Sequence, residues 1–146
     1  MAESERLQIE VRELYALLQR AHTEDPHAPL TSTQRLAMIE IADHGPLRLH
    51  ELAARLNTTP PTASRAVDAL VAAGFVRRVV DERDRRAVQI AVTPRGRAHV
   101  DERRARVAEV LSPALRRLPK DDARRLVELL AELNAELRDV VTQRAA

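Results

Sequence analysis

Cysteine is absent from the 146-residue sequence, so disulfide bonds, thiolate zinc sites and sensing through cysteine oxidation are excluded for this chain. The only aromatic residues are Tyr15 and Phe75, too few for a surface that stacks on bases or sugars. No apolar run reaches the roughly 18 residues that a membrane-spanning helix needs. The first ten residues lack the basic and then apolar pattern of a signal peptide. We therefore expect a cytoplasmic protein with no membrane partner.

Only three glycines are present, and none forms a Gly-rich phosphate-binding loop or a nucleophile elbow. Ser64 has no base that the sequence gives a reason to place beside it. Hydrophobic residues make up 45% of the chain and charged residues 32%, a balance typical of a folded globular protein, and the length suits one domain. The sequence therefore predicts a single globular domain that is not an enzyme.

The five histidines do not form a metal-binding pattern. His22 and His27 share one segment with Glu24 and Asp25, whereas the other three are scattered. None is paired with a second ligand at the spacing that places both on one helix face. Solvated histidines in loops and turns are the better interpretation, so neither a metal site nor another cofactor is predicted.

Charge is nearly balanced over the whole chain but unevenly distributed along it. The net charge is +2, from 24 basic and 22 acidic residues. Residues 65–97 contain eight arginines and four acidic residues, whereas residues 1–30 contain three arginines and six acidic residues. A local excess of arginine favours an anion-binding surface. Charge alone does not establish one, because genome base composition can also produce a chain in which 23 of 24 basic residues are arginine.

Apolar residues spaced three and four apart predict that most of the chain is helical. A first helix is predicted over 4–21, and Thr31 with Gln34 forms a capping box that opens a second. Two short helices follow, separated by a tight turn at residues 57–59, and Pro60 suits the first position of the later one. The inward-facing residues of that later helix are Ala63, Ala66, Val67, Leu70 and Val71.

After Gly74, which suits a left-handed helix end, the sequence period changes from 3.6 to 2. The runs 76–80 and 87–92 are rich in β-branched residues and alternate, which predicts an antiparallel hairpin. A helix begins again at Thr93 and Pro94, an N-cap followed by proline.

The two long C-terminal helices are predicted to carry an apolar stripe. Pro113 should bend or divide the first of them, and the second follows Pro119. The leucines of this last helix share one face; they are Leu126, Leu129, Leu130, Leu133 and Leu137.

Two short helices joined by a tight turn and followed by a hairpin form a winged helix-turn-helix. On the second helix, Thr62, Ser64, Arg65, Asp68 and Ala69 fall on the outer side. Arg65 has the reach and the forked geometry to bind guanine or a phosphate, and Thr62 and Ser64 can donate to phosphates. The alternative is an ordinary exposed helix face on which Arg65 and Asp68 form a solvated pair.

The hairpin link, residues 81–86, does not have the composition of an ordinary turn. Turns favour Gly, Asn and Asp for their backbone conformation, but here three arginines alternate with three acidic residues. Guanidiniums on a flexible tip suit a narrow and negative minor groove, and the acidic residues would orient them. The alternative is a solvated loop held by salt bridges.

These segments, LHELAARLNTTPPTASRAVDALVAAGFVRR (49–78) and DERDRRAVQIAVTPRGR (81–97), resemble the multiple antibiotic resistance regulator (MarR) family. The acidic-x-Arg-Asp-x-Arg wing, followed by a strand and Thr-Pro-x-Gly, is the most specific part of the likeness. The flanking long helices share the family's layout, so the resemblance covers nearly the whole chain. It implies a mainly α fold with a small β-hairpin wing, and a homodimeric repressor that binds double-stranded DNA and is released by a small ligand.

The resemblance also implies how the chain is divided. A single domain over 1–146 would comprise a dimerisation helix and loop over 1–30, a DNA-binding lobe over 31–93 and dimerisation helices over 94–146. On the recognition helix, the residues expected to contact DNA are Thr59, Thr62, Ser64 and Arg65. On the wing, they are Arg83, Asp84, Arg85 and Arg86.

The family's ligand pocket lies between the dimerisation helices and the DNA-binding lobe. By the resemblance, Arg12, Tyr15 and Arg35 meet there, and their arginines would favour an acidic aromatic ligand. Family members that sense peroxide use a cysteine in the first helix, which this chain lacks.

The terminal helices carry more apolar surface than a thin winged helix can cover. We therefore expect them to pack against a second copy, although an intramolecular helical core is the alternative. Two-fold symmetry would make the operator an inverted repeat with half-sites about 10 bp apart. The residues expected at the dimer interface are Leu7, Val11, Leu126, Leu130, Leu133 and Leu137.

A rival function keeps the same fold. Winged helices can also bind other proteins without specific DNA binding. Binding that weakens steeply with salt distinguishes DNA from a protein partner.

Overall fold

A computed structural model describes residues 1–20 and 29–145. Its described part contains six helices and a three-stranded antiparallel sheet, which confirms the predicted mainly α fold with a β-hairpin wing. The helices are α1 (Glu3–Arg20), α2 (Ser32–His44), α3 (Leu49–Arg55), α4 (Pro60–Ala72), α5 (Pro94–Arg116) and α6 (Lys120–Ala145). The strands are β1 (Leu47–Arg48), β2 (Val76–Val80) and β3 (Val88–Val92).

The chain divides into two compact units, Met1–Arg106 and Val107–Ala146. The first contains α1 to α4, the sheet and the beginning of α5, and the second contains the rest of α5 together with α6. The core lies in the first unit, where α2, α3 and α4 pack around one another and against the sheet. Its largest fully buried side chains are Met38, Ile41, Leu52, Val67, Leu70 and Val100.

The sheet has the order β1-β3-β2, so the predicted hairpin gains a third strand that the sequence analysis missed. In the hairpin, Val76 pairs with Val92 and Val80 with Val88. In the added strand, Leu47 pairs with Ile90. A strand of two residues is too short to show alternation, so no pattern in the sequence predicts β1.

Hydrogen bonds confirm the predicted helix starts. Gln34 N–H donates to the Thr31 hydroxyl at 3.2 Å, and Thr31 N–H donates to Gln34 Oε1 at 3.1 Å, which is a complete capping box. At the start of α5, Gly96 N–H donates to the Thr93 hydroxyl at 3.0 Å. The Thr93 hydroxyl in turn donates to the Gly74 carbonyl at 2.6 Å, so this cap also ties α5 to the end of α4.

Two glycines allow this close connection. Gly74 has a φ of +78°, and the N–H groups of Gly74 and Phe75 donate to the carbonyls of Val71 and Leu70, as in a Schellman motif. Gly96 allows α5 to approach β2, because a Cβ there would lie 2.0 Å from the Phe75 carbonyl oxygen. The Thr-Pro-x-Gly sequence therefore has a structural reason as well as a family likeness.

One prediction about the helices was wrong. Val71 was assigned to the inward stripe of α4 but is 36% exposed, because four other residues already fill the contact of α4 with α2, α3 and β2. Of the two outcomes expected at Pro113, a bend or a division, division is not found, because α5 continues to Arg116. A proline removes one backbone hydrogen bond, here to the carbonyl of Glu109, and Glu109 is exposed, so water can satisfy that carbonyl.

Candidate nucleic-acid interface

The N-terminus of α4 is fixed by Thr59. Its hydroxyl accepts a hydrogen bond from Thr62 N–H at 3.4 Å and donates to the Thr62 hydroxyl at 3.0 Å. Pro60 and Pro61 then form the first positions of the helix, where a missing N–H costs nothing. Thr59 and Thr62, both predicted to contact DNA, thus also hold the helix end that would enter a groove.

The outer face of α4 presents one guanidinium. Ala63, Ala66, Val67 and Leu70 are buried, Thr62 and Ser64 are half-buried, and Arg65 is exposed. Within residues 1–20 and 29–145, no carboxylate lies within ion-pair distance of Arg65.

The alternative interpretation, in which Arg65 pairs with Asp68, is not the arrangement found. Asp68 is bound instead by Arg78 of β2, at 2.5 Å between Nη2 and Oδ1. Arg65 is therefore available to an external anion.

The wing, residues 81–87, is held by backbone hydrogen bonds. Asp81 N–H donates to the Ala87 carbonyl at 3.0 Å, and Ala87 N–H donates to the Asp84 carbonyl at 2.9 Å. The Asp84 carboxylate accepts from Arg86 N–H at 3.1 Å. The acidic residues therefore hold the backbone of the wing rather than its arginine side chains. The exposed guanidiniums of Arg83, Arg85 and Arg86 have no carboxylate partner among the described residues.

Asp81 anchors the base of the wing. It is 8% exposed, and its carboxylate accepts hydrogen bonds from Arg83 N–H and from the Arg48 guanidinium, each at 2.9 Å. The Arg83 N–H and then Arg48 hold the pKa of Asp81 below its ordinary value of 3.8. Arg48 lies on β1. Because the sequence did not predict this strand, it did not predict the partner of Asp81 either. The wing motif contains Asp81, but nothing in the sequence pairs it with a residue 33 positions earlier.

We expect Asp81→Asn to loosen the wing. The neutral amide keeps the shape of the side chain but gives up its ionic contact with Arg48 and accepts more weakly from Arg83 N–H. Hydrogen exchange of the amides of residues 82–87 should become faster. In the wild-type protein, the depressed pKa means that the anchor is intact above about pH 4 and is lost only as the pH falls through the folded-state value.

Glu82→Gln is the matched control for this experiment, because it removes the same charge from the exposed part of the wing without touching the anchor. Exchange in the control should match the wild-type protein. Unchanged exchange in Asp81→Asn would mean that the carboxylate does not hold the wing.

A second pair of contacts ties the first half of α5 to the C-terminus of α2. The Arg104 guanidinium binds both carboxylate oxygens of Asp43, at 2.7 and 2.8 Å. Arg97 donates to the Ala42 carbonyl, one of the last carbonyls of α2, which lack helical partners. The hydrogen bond from Arg104 is the main cause of the lowered pKa of Asp43.

Two of the three predicted ligand residues, Tyr15 and Arg35, lie near a further arginine that the sequence did not single out, Arg103. Arg103 of α5 is half-buried, and burial and then the neighbouring Arg35 of α2 lower its pKa, while Tyr15 of α1 raises it. Arg12, the third predicted ligand residue, lines an open groove along α1 together with Met1, Glu5, Gln8 and Ile9. We name Tyr15, Arg35 and Arg103 the arginine cluster. No spacing within the sequence links α5 to α1 and α2.

The predicted interface residues lie on two helix faces that are apolar and partly exposed, one on α1 and one on α6. In α1, which has no buried residue, Leu7 is 43% and Val11 49% exposed. In α6, considered separately, Leu126, Leu130 and Leu137 are 42%, 37% and 49% exposed, and Leu133 is half-buried.

The residues considered as metal ligands are only partly described by the structure. His22, His27, Glu24 and Asp25 lie outside the described residues. Within residues 1–20 and 29–145, no group of three His, Asp or Glu side chains is placed to hold a metal ion. No helix in the same part of the chain is both long and apolar enough to span a membrane.

Comparison with known proteins extends the description of the site. A relative from Mycobacterium leprae (strain TN), an uncharacterized HTH-type transcriptional regulator, is 30% identical over 123 residues, which cover 83% of this chain and 74% of the relative. The crystal structure of RV1404 from Mycobacterium tuberculosis is similar with a TM-score of 0.79 and 24% identity, over 91% of this chain and 90% of that one. BpsR of Bordetella bronchiseptica, whose DNA binding is regulated by 6-hydroxynicotinic acid, has a TM-score of 0.67 and 22% identity, over 91% and 93% of the two chains.

The two structural likenesses, below 25% identity, show the fold. The family itself rests on the relative at 30% identity and on a family model, described as MarR family, that matches residues 30–88. Those residues contain α2, α3, α4 and the wing, which carry the exposed guanidiniums. The chain belongs to the MarR family of transcriptional regulators.

Proposed function

We propose that this protein is a homodimeric repressor that binds an inverted-repeat operator in double-stranded DNA and is released by a small acidic ligand. The observation that carries the DNA-binding part is the set of exposed guanidiniums without carboxylate partners among the described residues. One lies on α4 and three on the wing, and they are Arg65, Arg83, Arg85 and Arg86. A surface that keeps its arginines unpaired in the free protein is suited to phosphates and base edges.

The two elements differ in what they can read. The capped N-terminus of α4 presents Thr62, Ser64 and Arg65, and a helix of this kind fits the major groove, where each base pair has its own pattern of donors and acceptors. The wing presents a narrow tip with three arginines, which suits the minor groove and its negative potential. We assign sequence discrimination to α4 and most of the salt-dependent affinity to the wing.

The apolar faces of α1 and α6 support the homodimer. Large leucines and valines that remain 37–58% exposed along α6 are rare on monomeric soluble proteins unless they form an interaction surface. We propose a second copy of this chain as the occupant, and its two-fold symmetry would make the operator an inverted repeat. Half-sites would then be separated by about one helical turn, or about 10 bp.

Selection of bound fragments from the source genome tests this function. The recovered fragments should share a short inverted repeat, and retention should fall steeply with salt. Fragments without a common motif would remove the proposal of an operator. A motif without two-fold symmetry would remove the homodimeric reading.

The arginine cluster supports the ligand. Burial and then the neighbouring Arg35 lower the pKa of Arg103, and a carboxylate bound to Arg103 would offset both effects. The Tyr15 ring adds an aromatic surface. A small aromatic acid has both properties, as does the ligand of the Bordetella protein.

We expect 6-hydroxynicotinic acid, used as a probe, to bind this protein more tightly than the corresponding amide. Arg103→Gln should weaken binding of the acid by about tenfold or more, because it removes a charge-assisted hydrogen bond. Isothermal titration calorimetry measures both effects. Arg12→Gln is the control, since Arg12 is not among the groups that shift the pKa of Arg103, and it should leave the affinity unchanged. Equal affinities for the acid and the amide would contradict a carboxylate site.

A further inference from the structure

The ion pair between the recognition helix and the sheet has a role beyond stability. Asp68 of α4 and Arg78 of β2 are joined at 2.5 Å, although 63% and 43% of their side chains are exposed. Exposed pairs of this kind contribute little to folding. Its position is more informative, because Asp68 lies three residues after Arg65 on the outer face of α4.

A free Asp68 would compete for Arg65. Side chains three apart on a helix are neighbours, and a helical side chain leans toward the N-terminal turn, which here contains Arg65. An unpaired carboxylate on this face would also repel the phosphates of DNA. Arg78 prevents both effects by binding Asp68 from the side of the sheet.

We infer that Arg78 is a positioning residue for sequence discrimination: by holding Asp68, it keeps the Arg65 guanidinium available for a base edge. This inference rests on the proposed function, in which α4 reads the operator. A contact from Arg78 to phosphate alone would predict a different result, namely an equal loss of affinity on all sequences.

The neighbouring Arg77 provides a matched control. It lies on the same strand and is exposed, but successive side chains of a strand point to opposite faces. The face of Arg78 is also that of Val76, which is buried in the core cluster that includes the inner residues of α4. Replacing Arg77 therefore removes the same charge without releasing Asp68.

The experiment compares affinities for two duplexes, one selected by the wild-type protein from a random library and one with the same base composition scrambled. Fluorescence anisotropy at constant salt gives the two dissociation constants. The measured quantity is the dissociation constant for the scrambled duplex divided by that for the selected duplex, so a lower ratio means less discrimination. Arg78→Ala should lower this ratio by about two- to fivefold, the range expected for an ion pair on a helix surface. Arg77→Ala should lower both affinities and leave the ratio unchanged.

The substitution Asp68→Asn, tested alone and together with Arg78→Ala, separates the proposed role of Arg78 from a direct contact with DNA. Added to Arg78→Ala, it should restore the wild-type ratio, because no carboxylate remains to capture Arg65. On its own it should also keep the wild-type ratio, which tests the inference even if Arg78→Ala does not fold. The inference is overturned if Arg78→Ala keeps the full ratio, if the double variant does not recover it, or if Asp68→Asn alone lowers it. A wild-type protein that does not discriminate between the duplexes would overturn the proposed function itself, a separate and recognisable outcome.

Discussion

Replacing both Leu130 and Leu133 by aspartate is expected to produce a monomer that no longer binds the operator. Each substitution occurs twice in a symmetric dimer, so four leucine contacts are lost. Both leucines are already partly covered in the single chain. Formation of the dimer therefore gains only part of the transfer free energy of each leucine, about 1 kcal/mol. Four such losses raise the dimer dissociation constant by about a thousandfold, and the cost of burying unpaired carboxylates adds to this.

Size-exclusion chromatography with light scattering at micromolar concentration measures the assembly. The double variant Ala131→Asp with Ala135→Asp is the control, because it adds the same two charges at exposed positions of the same helix that lie away from the leucine face, and it should remain dimeric. A double variant that stays dimeric would place the interface elsewhere. A wild-type monomer that binds the operator tightly would contradict the homodimer.

The elements of the fold were predictable because they depend on local sequence. Thr31, Thr93 and Gly74 determine helix ends through contacts with residues at most five positions away, and the change of period after Gly74 marks the hairpin. The element that could not be predicted, β1, depends on a distant contact. The strand β1 has two residues and no pattern of its own, and its existence depends on pairing with β3, which lies more than 40 positions later.

The site was predictable as a set of residue types but not as a set of contacts. The sequence indicates that Arg65 and the wing arginines face outward. It does not reveal that Asp68 binds Arg78 rather than Arg65, because that choice depends on how β2 packs against α4. Nor does it reveal that Arg48 anchors Asp81, because that contact depends on the pairing of β1 with β3. Arg103 was missed for the same reason. A charged residue on a long helix resembles any solvated position until its neighbours from α1 and α2 are known.

The contributions of the helix and the wing should separate by substitution. Arg65→Ala should cost about 1–3 kcal/mol on the operator and relax the preference at one position in each half-site. Arg86→Ala should weaken binding to operator and scrambled DNA more nearly alike. Since a dimer would lose two phosphate contacts, the slope of log affinity against log salt should become shallower by about 1.8 units.

The central claim is that this lobe reads DNA, and one fluorescence anisotropy series tests it most directly. Wild-type protein, Arg65→Ala and Arg86→Ala are titrated with operator and scrambled duplex across a range of salt concentrations. The account predicts that Arg65→Ala loses part of its discrimination, whereas Arg86→Ala has a shallower salt dependence and keeps most of its discrimination. If wild-type binding barely changes with salt, and neither substitution alters affinity for either duplex, the lobe does not bind DNA through these arginines, and a protein-binding winged helix becomes the better interpretation.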